Sequence, residues 1–179
     1  FLVNQDLNLK EKEALGKDLL SIFEIACGEL KKSREAEGNK IKVHLMEYLE
    51  NFSLEKVKIR DLSKNFKEEL ENKLNDSLQK LSEKFELDES RFNQEVIYYL
   101  EKMDISEELD RLDIHLDKLR DLLKNEAGEV GRQIDFLLQE VNRETNTIGS
   151  KSAKSEISSS VVQMKTYLEK IREQNLNVE

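Results

Sequence analysis

The sequence predicts an all-α protein, and three observations support this fold class. The 179 residues contain no proline and only six glycines, so few positions force a helix to end. Apolar residues recur at spacings of four and three along most of the chain, which is the period of an amphipathic helix. Charged residues make up 37% and aromatic residues 6% of the chain, a balance typical of long helices with one buried face.

We expect residues 1–88 to form an arm, a long helical hairpin. Asn8 and Glu11 have the spacing of a capping box, which starts a helix. Gly38 is expected to end this helix as a left-handed C-terminal cap, and a further break is expected near Ser53. The apolar residues expected to line the arm are Leu15, Leu19, Ile22, Ala26 and Leu30, then Ile41, Leu45, Leu49 and Phe52, then Ile59, Leu62, Phe66, Leu70, Leu74, Leu81 and Phe85.

Cys27 is the only cysteine, which excludes a disulfide scaffold and is typical of the reducing cytoplasm. It falls on an apolar helix face, so we expect a buried thiol. No apolar run approaches the ~20 residues of a membrane span, and the given sequence shows no signal-peptide pattern. These features predict a soluble cytoplasmic protein.

Residues 89–179 are expected to form an antiparallel helical bundle. The polar run at 88–90 precedes it, Asp104 with Glu107 predicts the capped start of its second helix, and a loop is expected at 125–128. The apolar residues expected along its helices are Phe92, Val96, Tyr99 and Met103; Ile105, Leu109, Leu112, Leu116, Leu119 and Leu123; Ile134, Leu138, Val141, Thr145 and Ile148; and Ile157, Val161, Met164, Leu168 and Ile171.

The formal net charge of −9 argues against a broad electrostatic attraction to nucleic acid. The charge is unevenly placed, however. Residues 101–130 carry ten acids and five bases, whereas residues 131–179 carry seven of each. Such an acidic segment beside a neutral one is compatible with a metal-assisted site, and equally with two ordinary solvated helix faces.

The polar residues of the bundle suggest one candidate site. Glu108, Arg111 and His115 share a stripe beside the leucines of one helix, while Glu140 and Glu144 form an i,i+4 pair on the next. Like charges at that spacing destabilise a helix unless something neutralises them, such as Arg143, Lys151 or a divalent cation. Antiparallel packing would bring the two sets together as a carboxylate–histidine cluster, which suits Mn²⁺ or Mg²⁺. The alternative is that His115 is a hydrogen-bonded core residue.

Four basic residues are candidate phosphate contacts, since guanidinium and ammonium groups bind phosphate oxygens. The alternative for each is an ion pair with a nearby carboxylate. These residues are Arg111, Arg132, Arg143 and Lys151.

Several site types are not found in the sequence. It has no P-loop, no dinucleotide-binding glycine pattern, no zinc-ligand spacing and no readable Ser–His–Asp arrangement. It also lacks the signature of an RNA-binding module with interleaved aromatic residues. We therefore expect no small-molecule cofactor.

The segment 104–112, the pair His115-Leu116, the run Gly131–Ile148 and the following Ser150-Lys151-Ser152 together resemble the C-terminal domain of the YicC/YloC endoribonucleases. The resemblance is strong over 90–179 and looser over 8–88. It implies a bacterial cytoplasmic endoribonuclease that depends on a divalent metal, with manganese the expected choice, and assembles as a ring-like homo-hexamer. It also implies an N-terminal, strand-containing domain that this chain lacks.

The resemblance leads to a hypothesis of cleavage of single-stranded RNA, with Glu108, His115, Glu140 and Glu144 as catalytic and metal-binding residues. In one chemistry, a metal-acidified water attacks the phosphodiester and the basic residues stabilise the developing charge. In the other, His115 is a general base on the ribose 2′-hydroxyl and the product carries a cyclic phosphate. A non-catalytic helical oligomerisation or adaptor module is the rival interpretation.

Overall fold

The computed structural model describes residues 9–82, 89–124, 130–152 and 154–176, and nearly all of them are helical. The described residues contain no β-strand, so the predicted all-α class is confirmed. Among the described residues, no helix contains an apolar stretch of the length that a membrane crossing requires. The described part of the chain forms α1 (Leu9–Ser82), α2 (Glu89–Met103), α3 (Ser106–Lys124), α4 (Gly131–Lys151) and α5 (Ser155–Asn175).

The helix breaks predicted at Gly38 and Ser53 are wrong, because α1 runs through both positions as one helix of 74 residues. A glycine in a helix costs about 1 kcal/mol relative to alanine, too little to end so long a helix without a proline or a competing cap. The Ser53 hydroxyl donates to the carbonyl oxygen of Leu49 at 2.8 Å, a bond that a serine makes within a continuous helix.

Some sequence predictions lie outside the described residues. These are the cap at Asn8, the side chains of Glu11 and Leu81, Phe85, Asp88 in the polar run, and the loop at 125–128.

The chain divides into two compact units, Phe1–Lys42 and Val43–Glu179. In the first unit, the apolar stripe expected to be buried is exposed, from Leu15 to Leu30, and Cys27 is exposed as well. The prediction of a buried stripe and thiol here is wrong, because the described part of this unit is a single helix that offers no second apolar face. The division predicted between residues 88 and 89 stays a prediction.

The second unit is a bundle of α1 from Val43 onward with α3, α4 and α5. Side-chain contacts between α1 and α3 run in opposite chain directions, as do those between α1 and α5. The α1–α3 contacts are Ser53 with Arg120, Lys56 with Asp113 and Arg60 with Asp110, and the α1–α5 side includes Tyr48 with Lys170 and Glu55 with Ser160.

Helix α4 completes the bundle opposite α1 and is antiparallel to α3 and α5. The Asn175 amide at the end of α5 donates to the carbonyl oxygen of Gly131 at the start of α4, at 3.0 Å. At the other end, Gly149 lies so close to α5 that a Cβ built on it would be 3.2 Å from Cγ1 of Val161.

The core of the bundle confirms the periodicity of the sequence. Every apolar residue predicted along α3, α4 and α5 is buried, including Thr145, and Leu45, Leu49, Phe52 and Ile59 of α1 are buried with them. Helix α2 differs, because Tyr99, expected on its apolar face, is about half exposed and its ring meets that of Tyr98 edge-on. The bundle thus fixes the faces that α3 and α4 turn toward each other.

Candidate active site

Helices α3 and α4 face each other through layers of polar side chains that lie beside the apolar core. Because the helices are antiparallel, residues of increasing number along α3 face residues of decreasing number along α4. The layers are Glu108 with Lys151, then Arg111 with Glu144, then His115 with Glu140 and Glu144.

The third layer brings together three residues of the predicted cluster. Each of His115, Glu140 and Glu144 offers one donor atom, and these atoms all lie within 4.8 Å of one another. Glu144 is buried, with 4% of its surface exposed, while His115 and Glu140 are half-buried. Nδ1 of His115 is buried and has no hydrogen-bond partner among the described residues. One imidazole and two carboxylates suit Mn²⁺ in ligand chemistry, so this group fits a divalent cation.

Arg111 is the ionic partner of the buried Glu144. Its Nη1 lies 3.5 Å from Oε1 of Glu144, and its Nη2 binds the exposed carboxylate of Glu107. The negative charges of Glu107 and Glu144 raise the pKa of the Arg111 guanidinium. Arg143, Lys151 or a divalent cation was expected to neutralise the carboxylate pair on α4, and the structure adds Arg111 as an ionic partner of Glu144.

Glu108 lies outside the three-residue group, although it was predicted to be part of it. Its Oε1 accepts a hydrogen bond from Nζ of Lys151 at 2.6 Å, and its Oε2 is buried without a partner among the described residues. Glu108 precedes His115 by two helical turns, about 10 Å along the axis of α3. Its proposed role as a metal ligand stays a prediction.

The four predicted phosphate contacts are dispersed along the α3–α4 interface. Arg111 lies beside the group, and Lys151 is engaged with Glu108 and with the carbonyl oxygen of Asp104 at 3.0 Å. Arg143 is exposed next to Glu144 in sequence. Arg132 is exposed at the start of α4, eight residues and about 12 Å along the helix from Glu140.

The start of α3 follows part of its sequence prediction. The carboxylate of Asp104 accepts a hydrogen bond from the backbone amide of Ser106 at 2.8 Å, which satisfies a free donor of the first turn. Glu107, expected to complete a capping box, instead reaches forward to Arg111. The Asp104 cap therefore confirms the start of α3 near the predicted position.

A charged cluster that the sequence analysis missed lies between α1 and α3. The buried ammonium group of Lys56 binds Oδ1 of Asp113, and Nη2 of Arg60 lies 2.9 Å from Oδ2 of the same carboxylate. Burial raises the pKa of Asp113, but the hydrogen bonds and charges of Lys56 and Arg60 outweigh it and hold the pKa below its ordinary value. No local pattern reveals this cluster, because Lys56 and Asp113 are 57 residues apart.

The chain is similar to known proteins along most of its length. Residues 59–179 match the family described as "Endoribonuclease YicC-like, C-terminal". A protein of Haemophilus influenzae named "Probable endoribonuclease YicC" is 34% identical over 175 residues, and one of the same name from Clostridioides difficile is 37% identical over 183 residues. Each alignment covers 95% of this chain and 58% of the relative, so the chain spans less than two thirds of either protein's length. The chain belongs to the YicC-like endoribonuclease family, whose C-terminal part it matches.

Proposed function

We propose that this chain carries the catalytic part of a metal-dependent endoribonuclease that cleaves single-stranded RNA in the cytoplasm. The observation that carries the proposal is the convergence of His115, Glu140 and Glu144 within 4.8 Å. The names of the two relatives support the reaction class, since both are called probable endoribonucleases.

The three residues would hold the divalent cation, and Mn²⁺ fits them best because the set mixes imidazole and carboxylate donors. When bound, the cation would supply Lewis-acid stabilisation of the charge that develops on the phosphodiester. Burying a carboxylate such as that of Glu144 requires a nearby cation to compensate its charge, and Arg111 supplies that charge from the adjacent layer. Arg111 therefore balances the charge of Glu144 in the free site and competes with the cation for that carboxylate.

The basic residues act on the substrate's charge. Arg143 precedes Glu144 in the sequence, and its side chain is exposed. It contacts a phosphate oxygen of the bound strand. Arg132 contacts the strand farther along α4. Glu108 and Lys151 lie beyond the three-residue group, and their ion pair holds the end of α4 to the start of α3.

His115 has a second possible role, in which it accepts the proton of a ribose 2′-hydroxyl as a general base. The product's end group separates the two chemistries. A 2′,3′-cyclic phosphate supports attack by the 2′-hydroxyl, whereas a linear 5′- or 3′-phosphate with no cyclic precursor supports attack by water.

The proposal is tested with an unstructured RNA incubated with Mn²⁺ or with chelator. The assay uses both this chain and the full-length protein that contains it, because the chain spans 58% of its relatives. We expect cleavage by the full-length protein with Mn²⁺ only, and its loss in Glu140→Gln and His115→Ala. Glu169→Gln, at an exposed position of α5, is the matched control and should cleave like the unmodified protein. Chelator-resistant cleavage would refute metal dependence, and unchanged cleavage in both site variants would refute the site assignment.

A second candidate function is favoured by the exposed apolar residues of α1. Five of the large ones, from Leu15 to Phe23, are each about half or more exposed, which is typical of surfaces that bind another protein. We propose that a second copy of this chain covers them, in a homo-oligomer of the hexameric kind implied by the resemblance. Light scattering should give a mass several times that of one chain, and Leu19→Gln with Phe23→Gln should reduce it. A single-chain mass before substitution would refute the proposal.

A further inference from the structure

A groove between α3 and α4 adjoins the candidate active site. It has a volume of about 650 Å³ and is lined by Lys118, Asp121, Leu122, Arg132, Gln133, Phe136 and Leu137. This volume lies within the range of pockets that bind small organic groups. None of these residues except Arg132 belongs to the site described above.

The groove continues the facing stripes that build the site. On α3, Lys118 follows His115 by three residues, and on α4, Phe136 precedes Glu140 by four. Residues at these spacings are neighbours on one helix face, with Cβ atoms about 5–6 Å apart. The groove is thus the next layer beyond His115 and Glu140, one helical turn away. The rise of one helical turn is comparable to the distance between neighbouring nucleotides of an extended strand.

The composition of the groove is that of a nucleotide subsite. The other large apolar residues of α4 are buried, but Phe136 is 62% exposed. Its ring is therefore available for contact. Lys118 and Arg132 supply two cations against the one carboxylate of Asp121, which leaves the lining with a net positive charge in an acidic protein. An aromatic face for a base and cations for the backbone are the elements by which proteins bind single-stranded nucleic acid.

We propose that this groove binds the nucleotide next to the scissile phosphate of single-stranded RNA. The base stacks on the ring of Phe136, and Arg132 and Lys118 contact the phosphates that flank it. This inference rests on the proposed endoribonuclease function and adds the substrate-binding surface to it. Because stacking accepts any base, the subsite gives affinity for unpaired strands with little sequence preference.

The test measures RNA binding apart from cleavage. The full-length protein is titrated, in chelator, into a fluorescently labelled single-stranded oligonucleotide, and anisotropy gives the Kd. Phe136→Leu, which keeps an apolar side chain but removes the aromatic face, is expected to raise the Kd about ten-fold, while Phe136→Trp keeps it within about two-fold. Arg132→Gln should weaken binding and lower its dependence on salt concentration.

A 2-aminopurine placed at successive positions of the same oligonucleotide identifies the stacked base. Its fluorescence should be quenched at one position by the unmodified protein, and the quenching should be lost in Phe136→Leu. Equal affinity of Phe136→Leu and the unmodified protein would overturn the inference. A change in the assembled mass of Phe136→Leu without a change in its RNA affinity would also overturn the inference, because Phe136 would then be a contact between protein copies.

The outcomes separate this inference from the function on which it rests. If the protein cleaves RNA with Mn²⁺ but Phe136→Leu binds normally, the subsite is wrong and the endoribonuclease proposal stands. If no cleavage occurs but Phe136→Leu weakens binding and abolishes quenching, the groove binds single strands and the catalytic proposal fails.

Discussion

Nζ of Lys151 lies 2.6 Å from Oε1 of Glu108 and also donates to the carbonyl oxygen of Asp104 at 3.0 Å, so a single ammonium group ties the end of α4 to the start of α3. The Glu108 carboxylate is buried, and its second oxygen has no partner among the described residues. Removing a partner from a buried ion pair leaves an uncompensated charge, which is more destabilising than the pair itself is stabilising.

Lys151→Met is therefore expected to lower the free energy of unfolding by about 3 kcal/mol, the lower end of the range for such pairs because Lys151 is partly exposed. Urea denaturation followed by circular dichroism measures the change. Lys165→Met, at an exposed position of α5, is the matched control and should change stability by less than about 0.5 kcal/mol. The double variant Lys151→Met with Glu108→Leu should recover most of the loss, and failure to recover it would show that Lys151 acts through another contact.

Asp113 gives a pH-dependent prediction. Its pKa is lowered in the folded protein, because hydrogen bonds from Lys56 and Arg60 outweigh the effect of burial. A carboxyl group with a lowered folded pKa stabilises the protein above its unfolded pKa, about 4, and this contribution is lost as the pH falls through the lower, folded value.

Asp113→Asn should consequently be less stable than the unmodified protein at pH 7, and the difference should shrink as the pH falls below about 4. Urea denaturation at a series of pH values from 7 to 2.5 measures this difference. Asp117→Asn is the control, since Asp117 is exposed on the same helix and pairs with Arg120 at 3.0 Å. A stability difference that stays constant down to pH 2.5 would contradict the assigned role of the Asp113 carboxylate.

Arg111 and Glu144 should have opposite effects on cation binding. Glu144→Gln removes a donor and should abolish Mn²⁺ binding measured by isothermal titration calorimetry. Arg111→Gln removes a positive charge beside the carboxylates and should tighten Mn²⁺ binding by on the order of five-fold, provided Glu144 keeps its position. Arg172→Gln, exposed on α5, serves as control. Weaker binding in Arg111→Gln would indicate that Arg111 matters chiefly for holding Glu144 in place.

The sequence predicted the bundle well because its signal is local and periodic. The four-and-three spacing of α3, for example, needs only neighbouring residues to identify its buried face, and Leu112 and Leu116 are fully buried as expected. The same signal failed in the first unit. Leu19 and Ile22 have helical spacing, but periodicity states which face is apolar and not whether another helix of the chain covers it.

The site was predictable in part for a related reason. Sequence spacing indicates which faces of α3 and α4 carry the polar residues. Antiparallel packing of these faces brings His115 near Glu140 and Glu144. The register between the helices is set by side-chain packing, and it places Glu108 opposite Lys151 rather than in the group. A stripe of residues that repeats every helical turn looks the same after a shift of one turn, so the pattern alone does not determine the register.

Gly149 and Gly38 give a matched pair for the last prediction. A Cβ at Gly149 would be 3.2 Å from Cγ1 of Val161, whereas a Cβ at Gly38 would meet nothing within 4 Å. Gly149→Leu should therefore separate α4 from α5 and lower stability by about 2 kcal/mol, because the added atoms overpack a close helix contact. Gly38→Leu should raise the helix stability of α1 by about 0.8 kcal/mol through helix propensity alone. Thermal unfolding followed at 222 nm measures both effects. Equal effects of the two substitutions would contradict the close approach of α4 and α5, and a loss of helicity in Gly38→Leu would contradict the continuity of α1 through residue 38.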